Sequence, residues 1–330
     1  MPAVKRSTAP WTLTDGRAGN VRQAVALAAA LQLGTHRPLT LVPRAPWRWI
    51  SPRRLPGDVT GYGDTLHALA QTPPQLAIGC GRQAAGALRV LRARGTRTVQ
   101  ILDPRLSPKH WDLVVVPEHD ALRGPNVLTL LGSLNPVDDD WLALGRAAFA
   151  DFGALPGPRT ALLVGGPTAQ APWNEQAMQQ VFVELAAQLR EDGGSLLATT
   201  SRRTPPGLAE QLRAQFADVP NVIWGDGGDG VNPYAGLLGW ADRVVVSADS
   251  VNLLSEACAT RVPVSVALAA TARGRLAHFQ QALHARGRLQ TRWLQWDATR
   301  IEPLRETARV AAQVRQRLDL PATSAGRLRG

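Results

Sequence analysis

Scarcity sets the first limits on this chain. Its two cysteines, Cys80 and Cys258, stand alone, without Cys-x-x-Cys spacing or a clustered histidine, so the sequence encodes neither a disulfide framework nor a zinc cluster. They read as small buried residues of a reducing compartment. The six histidines are dispersed, and no metal site is expected. Only five Phe and two Tyr accompany ten isolated Trp. No basic run is interleaved with aromatics, so a base-stacking platform is absent and no nucleic acid partner is expected. No run of about eighteen apolar residues occurs, and the first residues, MPAVKRSTAP, contain no apolar signal core; the expected location is cytoplasmic. The loop after the first strand, DGRAGN, is not a GxGxxG fingerprint and lacks the Walker lysine pattern, which disfavours dinucleotide and P-loop binding and leaves no cofactor expected.

What is present points to an ordinary globular protein with an anionic partner. The 330 residues, 45% of them hydrophobic, suffice for two domains, expected as residues 1–150 and 151–330. Lys plus Arg exceed Asp plus Glu by 37 to 26, a formal charge of +11. That positive charge is nearly all arginine and is scattered. It favours phosphorylated small molecules or an acidic membrane surface.

The chain repeats one grammar: a short apolar strand, a polar or glycine-rich loop, then a helix. Trp11–Thr14 leads through Asp15-Gly16-Arg17-Ala18-Gly19-Asn20 into a helix with an apolar stripe from Val21 to Leu31. Strands follow at 39–42, 75–78, 98–102, 113–116 and 127–131. Asp15, Arg82, Asp103, Arg105, Glu118, His119 and Asp120 each follow one of these strands. In an open parallel sheet all strand carboxyl ends lie on one edge, where ligands bind, so these residues are expected to converge on one rim. Between them, Pro43–Tyr62 is rich in Pro, Arg and Trp and lacks periodicity. It reads as a surface loop packed by its own aromatics, or as a contact with lipid headgroups. Residues 137–155 read as the inter-domain connection.

The second half restarts at 160–164, where Gly165-Gly166-Pro167-Thr168 follows the strand. Further strands are expected at 195–199, 221–224, 244–247 and 263–268. Arg202 and Arg203, beside Ser201 at a helix start, can bind a diphosphate. GDGGDG, residues 225–230, reads as a mobile or functional loop, and Asn232-Pro233-Tyr234 begins a helix. The stretch RVVVSADSVNLLSEACATRVP, residues 243–263, organises this half. A buried strand ends at Ser247, and Asp249 or Ser250 can cap the helix that follows. Such a helix start presents free N–H groups and the positive end of a dipole to an anion. Glu256, on an otherwise apolar helix, needs a partner that a ribose diol would supply.

Together these features resemble GT-B glycosyltransferases: α/β proteins with two Rossmann-like domains whose parallel sheets face a central cleft. TDGRAGNVRQ, DPR, VVPEHD, GPNVL, LVGGPT, TTSRRTP, NPY and SADSVNLLSEACAT further resemble, in order, the blocks of a family of bacterial and plant proteins known by its plant member, a mitochondrial-fission factor. That resemblance spans about residues 11–266. It implies a donor domain in the second half and an acceptor domain in the first, with Glu256 on the ribose and Ser250 near the phosphates.

The leading reading is a metal-independent glycosyltransferase at the inner face of the membrane, using a nucleotide-sugar and a lipid-linked or cell-envelope acceptor. Asp15 is the candidate general base, with His119 and Asp120 as rivals. Gly165, Gly166, Thr168, Ser201, Arg202, Arg203, Asn232, Asp249, Ser250 and Glu256 line the expected donor cleft, while Gly16, Gly19, Asn20 and Arg82 lie on the acceptor side. A non-catalytic adaptor that binds membranes or a protein is the rival reading. A nucleotide-sugar epimerase is weaker, for want of an NAD loop and of a Tyr-x-x-x-Lys pair.

Overall fold

A computed structural model describes residues 9–296 and 301–321. The amino-terminal segment read for a targeting signal, up to residue 8, and the tail from residue 322 lie outside the described residues. The chain folds as two units, residues 1–136 with 306–330, and residues 137–305.

The first unit holds a six-stranded parallel sheet built from β1 (Trp11–Thr14), β2 (Arg37–Thr40), β3 (Leu76–Cys80), β4 (Arg97–Ile101), β5 (Leu113–Pro117) and β6 (Val127–Leu130), in the order β2-β1-β3-β4-β5-β6. Side chains alternate across a strand, so each buried strand feeds two cores. Leu76, Ile78 and Cys80 face one core with Leu27 and Leu31, which belong to or follow the helix Ala18–Ala30. Ala77 faces the other, with Leu88 and Leu91 of the helix Arg82–Arg92 and Leu66 of the helix Asp64–Gln71.

The final helix, Glu306–Arg317, departs from the expected domain division. It belongs to the first unit because Val310, Ala311 and Val314 pack into the first of those cores. Its start is also pinned there: Leu131 N donates to Glu306 Oε2 at 3.1 Å, and Thr307 Oγ1 donates to the Asn135 carbonyl at 2.7 Å.

The second unit is a five-stranded parallel sheet of β7 (Arg159–Val164), β8 (Ser195–Thr200), β9 (Asn221–Trp224), β10 (Arg243–Ser247) and β11 (Val264–Ala267), in the order β11-β10-β7-β8-β9. The segment read as a connection contains a helix, Asp139–Ala148, capped by Asp138, whose Oδ1 accepts from Trp141 N at 2.8 Å. It belongs to this unit and packs against the helix Tyr234–Trp240. A side chain at Gly145 would collide with the Ala235 carbonyl, so glycine sets how closely the two helices approach. The long helix Glu175–Asp192 opens on Asn174 and closes on Gly193 at φ +66°, as its flanking residues predict.

Pro43–Tyr62 folds into two single turns, Trp47–Ile50 and Asp58–Gly61. Its own aromatics do pack it, with the Ser51 and Tyr62 hydroxyls 2.6 Å apart in the interior. Trp49, however, stays 67% exposed.

Candidate functional site

Each sheet reverses strand order once, and a crevice opens at the carboxyl edge where it does. In the second unit that point lies between β7 and β10, because β8 and β9 extend one side and β11 the other. Gly165 and Gly166 follow β7; Ser247 ends β10.

One carboxylate ties these loops together. Asp249 Oδ2 accepts from Gly166 N at 3.0 Å and from Arg203 Nη2 at 3.0 Å. Its Oδ1 accepts from Ser247 Oγ at 2.7 Å and from Trp173 Nε1 at 3.1 Å. Gly165 N in turn donates to Ser247 Oγ at 2.8 Å. With its side chain 0% exposed and four donors on two oxygens, Asp249 is the frame of the crevice. Of the two expected caps, Ser250 is the one observed on the helix Val251–Cys258, its Oγ accepting from Leu253 N at 3.3 Å, while the Asp249 side chain is enclosed. A side chain at Gly165 would meet the Asp249 carboxylate, and one at Gly166 the Arg203 carbonyl, so close approach explains both glycines.

The loop after β8 is laid against the same place. Thr204 Oγ1 accepts from Ser201 N at 2.8 Å and donates to the Gly165 carbonyl at 2.5 Å. Arg203 Nη1 reaches the Gly166 carbonyl at 3.2 Å while its side chain remains 50% exposed. Arg202 is exposed. Thr168 sits just beyond, bridged to Ala171. The structure therefore gathers Gly165, Gly166, Ser201, Arg202, Arg203 and Ser250 around the ends of β7, β8 and β10.

Glu256 and Asn232 have other partners than those expected. Glu256 is 1% exposed, and its Oε2 accepts from the Tyr234 hydroxyl at 2.5 Å. Asn232 Oδ1 accepts from Tyr234 N at 3.0 Å and so holds the start of that tyrosine's helix. The Glu256 oxygen expected to meet a ribose diol is thus shared with the Tyr234 hydroxyl. The GDGGDG loop, expected to be mobile or functional, is a capped turn: Asp226 Oδ1 accepts from Gly228 N at 2.7 Å and Asp229 Oδ2 from Gly225 N at 2.6 Å. The Gly225 amide, then that of Asp226, more than the Arg213 guanidinium, hold the Asp229 carboxyl below its ordinary pKa.

In the first unit the reversal falls between β1 and β3. Asp15 follows β1, and its Oδ1 accepts from Asn20 Nδ2 at 2.8 Å and from Arg17 N at 3.2 Å. Asn20 Oδ1 accepts from the Cys80 thiol at 3.5 Å, and a side chain at Gly81 would meet Asn20 Nδ2 at 2.8 Å. Asp15 keeps 18% of its side chain exposed, and among the described residues Oδ2 faces the exposed Arg17 guanidinium, at 3.5 Å. Gly16 turns the chain at φ +78°, and Gly19 stands in the first turn of the helix. Arg82 donates to the Trp49 and Arg48 carbonyls at 3.0 and 3.3 Å, which anchors the Trp/Arg segment.

His119 and Asp120 do not join Asp15. They follow β5, and β3 and β4 intervene, a separation of about 14 Å at the usual strand spacing. Asp120 is also buried. The expected single rim thus divides into Asp15, Asn20, Gly81 and Arg82 on one side and Glu118–Asp120 on the other. Burial raises the pKa of both thiols, that of Cys258 to about 12, so neither is a reactive thiolate at neutral pH. Among the described residues no group of three or more His, Cys, Asp or Glu could hold a metal ion, and no helix is long and apolar enough to cross a membrane.

Sequence reasoning missed Ser247, Trp173 and Thr204 as members of the second crevice, and Tyr234 as the partner of Glu256. Trp173 lies 76 residues from Asp249, and only sheet topology joins them. Tyr234 stood in a recognised NPY block, which was the available signal.

Comparison with solved structures supports the architecture. The UDP-GlcNAc 2-epimerase of Methanocaldococcus jannaschii superposes with a TM-score of 0.53 at 12% identity, covering 93% of this chain and 99% of that one. The S. aureus MnaA–UDP co-structure gives 0.51 at 13% identity, covering 94% and 90%. Two parallel-sheet units, each with its glycine loops at a strand-order reversal, place the chain in the GT-B-like class.

Within that class the chain belongs to the family described as mitochondrial fission ELM1, whose profile matches residues 18–318. It is 31% identical over 278 residues to the mitochondrial fission protein ELM1 of Arabidopsis thaliana, covering 74% of this chain and 64% of that protein. The chain therefore spans slightly less than two thirds of that relative. Since solved epimerases share the fold, fold alone does not separate sugar transfer from epimerisation.

Proposed function

We propose that the protein is a GT-B-type glycosyltransferase that binds a nucleotide-sugar at the carboxyl edge of the second sheet and transfers its sugar to a membrane-associated or cell-envelope acceptor. The observation that carries this reading is the crevice at β7 and β10, where buried Asp249 fixes the Gly166 amide and Arg203 directly and the Gly165 amide through Ser247. Arg203, half exposed, and exposed Arg202 supply positive charge at this edge. That the S. aureus relative in fold was solved with UDP supports the ligand class.

In transfer, the bond from the anomeric carbon to the diphosphate oxygen breaks and the oxygen keeps the electron pair. Arg202, Arg203 and the Ser250-capped helix start would stabilise that developing charge. Asp15 would take the proton of the acceptor hydroxyl as its oxygen bonds to the anomeric carbon, its open Oδ2 serving as the basic atom.

The test is a thermal-shift screen against UDP, GDP, ADP, CMP and their sugar conjugates, with wild type and Arg202→Gln. Glu256→Ala is less suited, because it would leave the Tyr234 hydroxyl buried without this acceptor. One nucleotide that raises the melting temperature of wild type more than that of the variant supports the donor site. No shift with any nucleotide at millimolar concentration removes the transferase reading in favour of an adaptor.

A further inference from the structure

The first unit carries a second polar cavity at the opposite edge of its sheet. A space of about 460 Å³ is lined by Arg54, Arg89, Arg92, Arg97, His110 and Asp112. Arg97 begins β4, so the cavity lies at the amino ends of the strands, about 13 Å along β4 from the carboxyl edge. It is thus separate from the loops that hold Asp15.

The charges there do not balance. Asp112 is consumed locally: Oδ1 accepts from Arg92 Nε at 3.0 Å, and Oδ2 from both the amide and hydroxyl of Thr98 at 2.8 Å. Arg54 pairs with Asp58. Among the described residues the hydrogen-bond acceptors of Arg89 and Arg97 are carbonyls, Pro52 at 2.7 Å for the first and Leu318 and Asp319 for the second. A carbonyl accepts a hydrogen bond but does not neutralise a guanidinium. Asp58, paired with Arg54, acts on Arg89 as well, so in this concave site the four guanidinium groups of Arg54, Arg89, Arg92 and Arg97 share the carboxylates of Asp58 and Asp112. Thr96, which also lines the cavity, is 2% exposed, and its hydroxyl has no partner among the described residues.

We propose that this cavity binds a phosphate-bearing anion, a phosphomonoester or diphosphate group held by Arg54, Arg89 and Arg97. Guanidinium groups match phosphate oxygens in pairs, and a dianion would neutralise the excess charge. The neighbouring charges already register the deficit. Burial, then Arg89, Lys109 and Arg92, depress the His110 pKa, and burial with Arg54 depresses that of Arg89. The same chemistry is offered by a free phosphorylated metabolite and by a lipid headgroup. The site stands independently of the transferase reading.

The test is calorimetric titration of the full chain with inorganic phosphate, pyrophosphate and glycerol 3-phosphate, alongside co-sedimentation with phosphatidylcholine vesicles with and without phosphatidic acid. Arg89→Gln and Arg54→Gln are the variants, each checked by its melting temperature. Two variants are used because Arg89 also anchors the Pro52 carbonyl. Binding that either variant weakens at least tenfold, with the fold intact, is the expected result. Soluble anions binding identifies a free ligand, and binding only to phosphatidic acid vesicles identifies a headgroup; each upholds the site. Absence of binding in both assays, or binding that neither variant weakens, overturns it. Nucleotide-induced stabilisation unaffected by Arg89→Gln would separate this cavity from the donor crevice.

Discussion

The two strand-order reversals share a topology and differ in how they use a carboxylate. Asp249 in the second unit is fully enclosed and accepts four hydrogen bonds, so its work is to fix the loops around it. Asp15 in the first unit is partly exposed and accepts two, both at Oδ1, while Oδ2 faces the Arg17 guanidinium. An aspartate in the loop after a parallel strand is therefore ambiguous from position alone; the donors around it distinguish an enclosed frame from an accessible carboxylate.

The sharpest way to break this comparison is to remove each carboxylate. Asp249→Ala leaves buried donors from Trp173, Ser247 and Gly166 and the Arg203 cation without their acceptor. It should destabilise the second unit by about 3–5 kcal/mol, measured by denaturant unfolding. Asp15→Asn should change stability by less than about 1 kcal/mol and lower turnover about 100-fold or more, measured as sugar transfer once a donor is known. A large stability loss from Asp15→Asn would place both residues in the same structural role.

Gly166→Ala comes next. Its methyl group would press on the Arg203 backbone, which the Thr204 hydroxyl holds near Gly165, so a loss of about 1–3 kcal/mol is expected by the same unfolding assay. Tyr234→Phe should cost about 1–3 kcal/mol, because it deprives buried Glu256 of a donor. The smallest effect is at Asp139, which starts the helix Asp139–Ala148. Hydrogen bonds from Arg305, then Arg261, hold its carboxyl well below the ordinary value of 3.8. A depressed carboxylate stabilises the fold at pH above 3.8 and loses that contribution as pH falls toward its folded value. Because Asp139 is 58% exposed, Asp139→Asn should cost less than about 1 kcal/mol at pH 7, and the difference from wild type should shrink in acid.

Central strands such as β3, β5, β7 and β10 were legible because a parallel strand buried on both faces is a short continuous apolar run bounded by polar loops, whereas the exposed edge strand β2, expected at 39–42, lies at Arg37–Thr40. Helix ends marked by Asn174, Gly193 and Ser250 were legible for the same local reason. What escaped depends on distant chain. The allegiance of Glu306–Arg317 rests on contacts with a core whose strands lie more than 170 residues earlier, as the Glu306 bond to Leu131 shows. The Asp139–Ala148 helix buries only Leu142 and Gly145, too little for an apolar stripe to reveal it. Ser247, Trp173 and Thr204 escaped for the same reason: nothing near Asp249 in sequence shows that Trp173 and Arg203 will saturate it.

The central claim, that the β7/β10 edge binds the nucleotide, is tested most directly by amide hydrogen exchange across the whole chain with and without UDP. Added protection confined to peptides spanning residues 164–168, 200–204 and 248–256 is the result predicted. Protection elsewhere with these peptides unchanged, or none at saturating nucleotide, would contradict it.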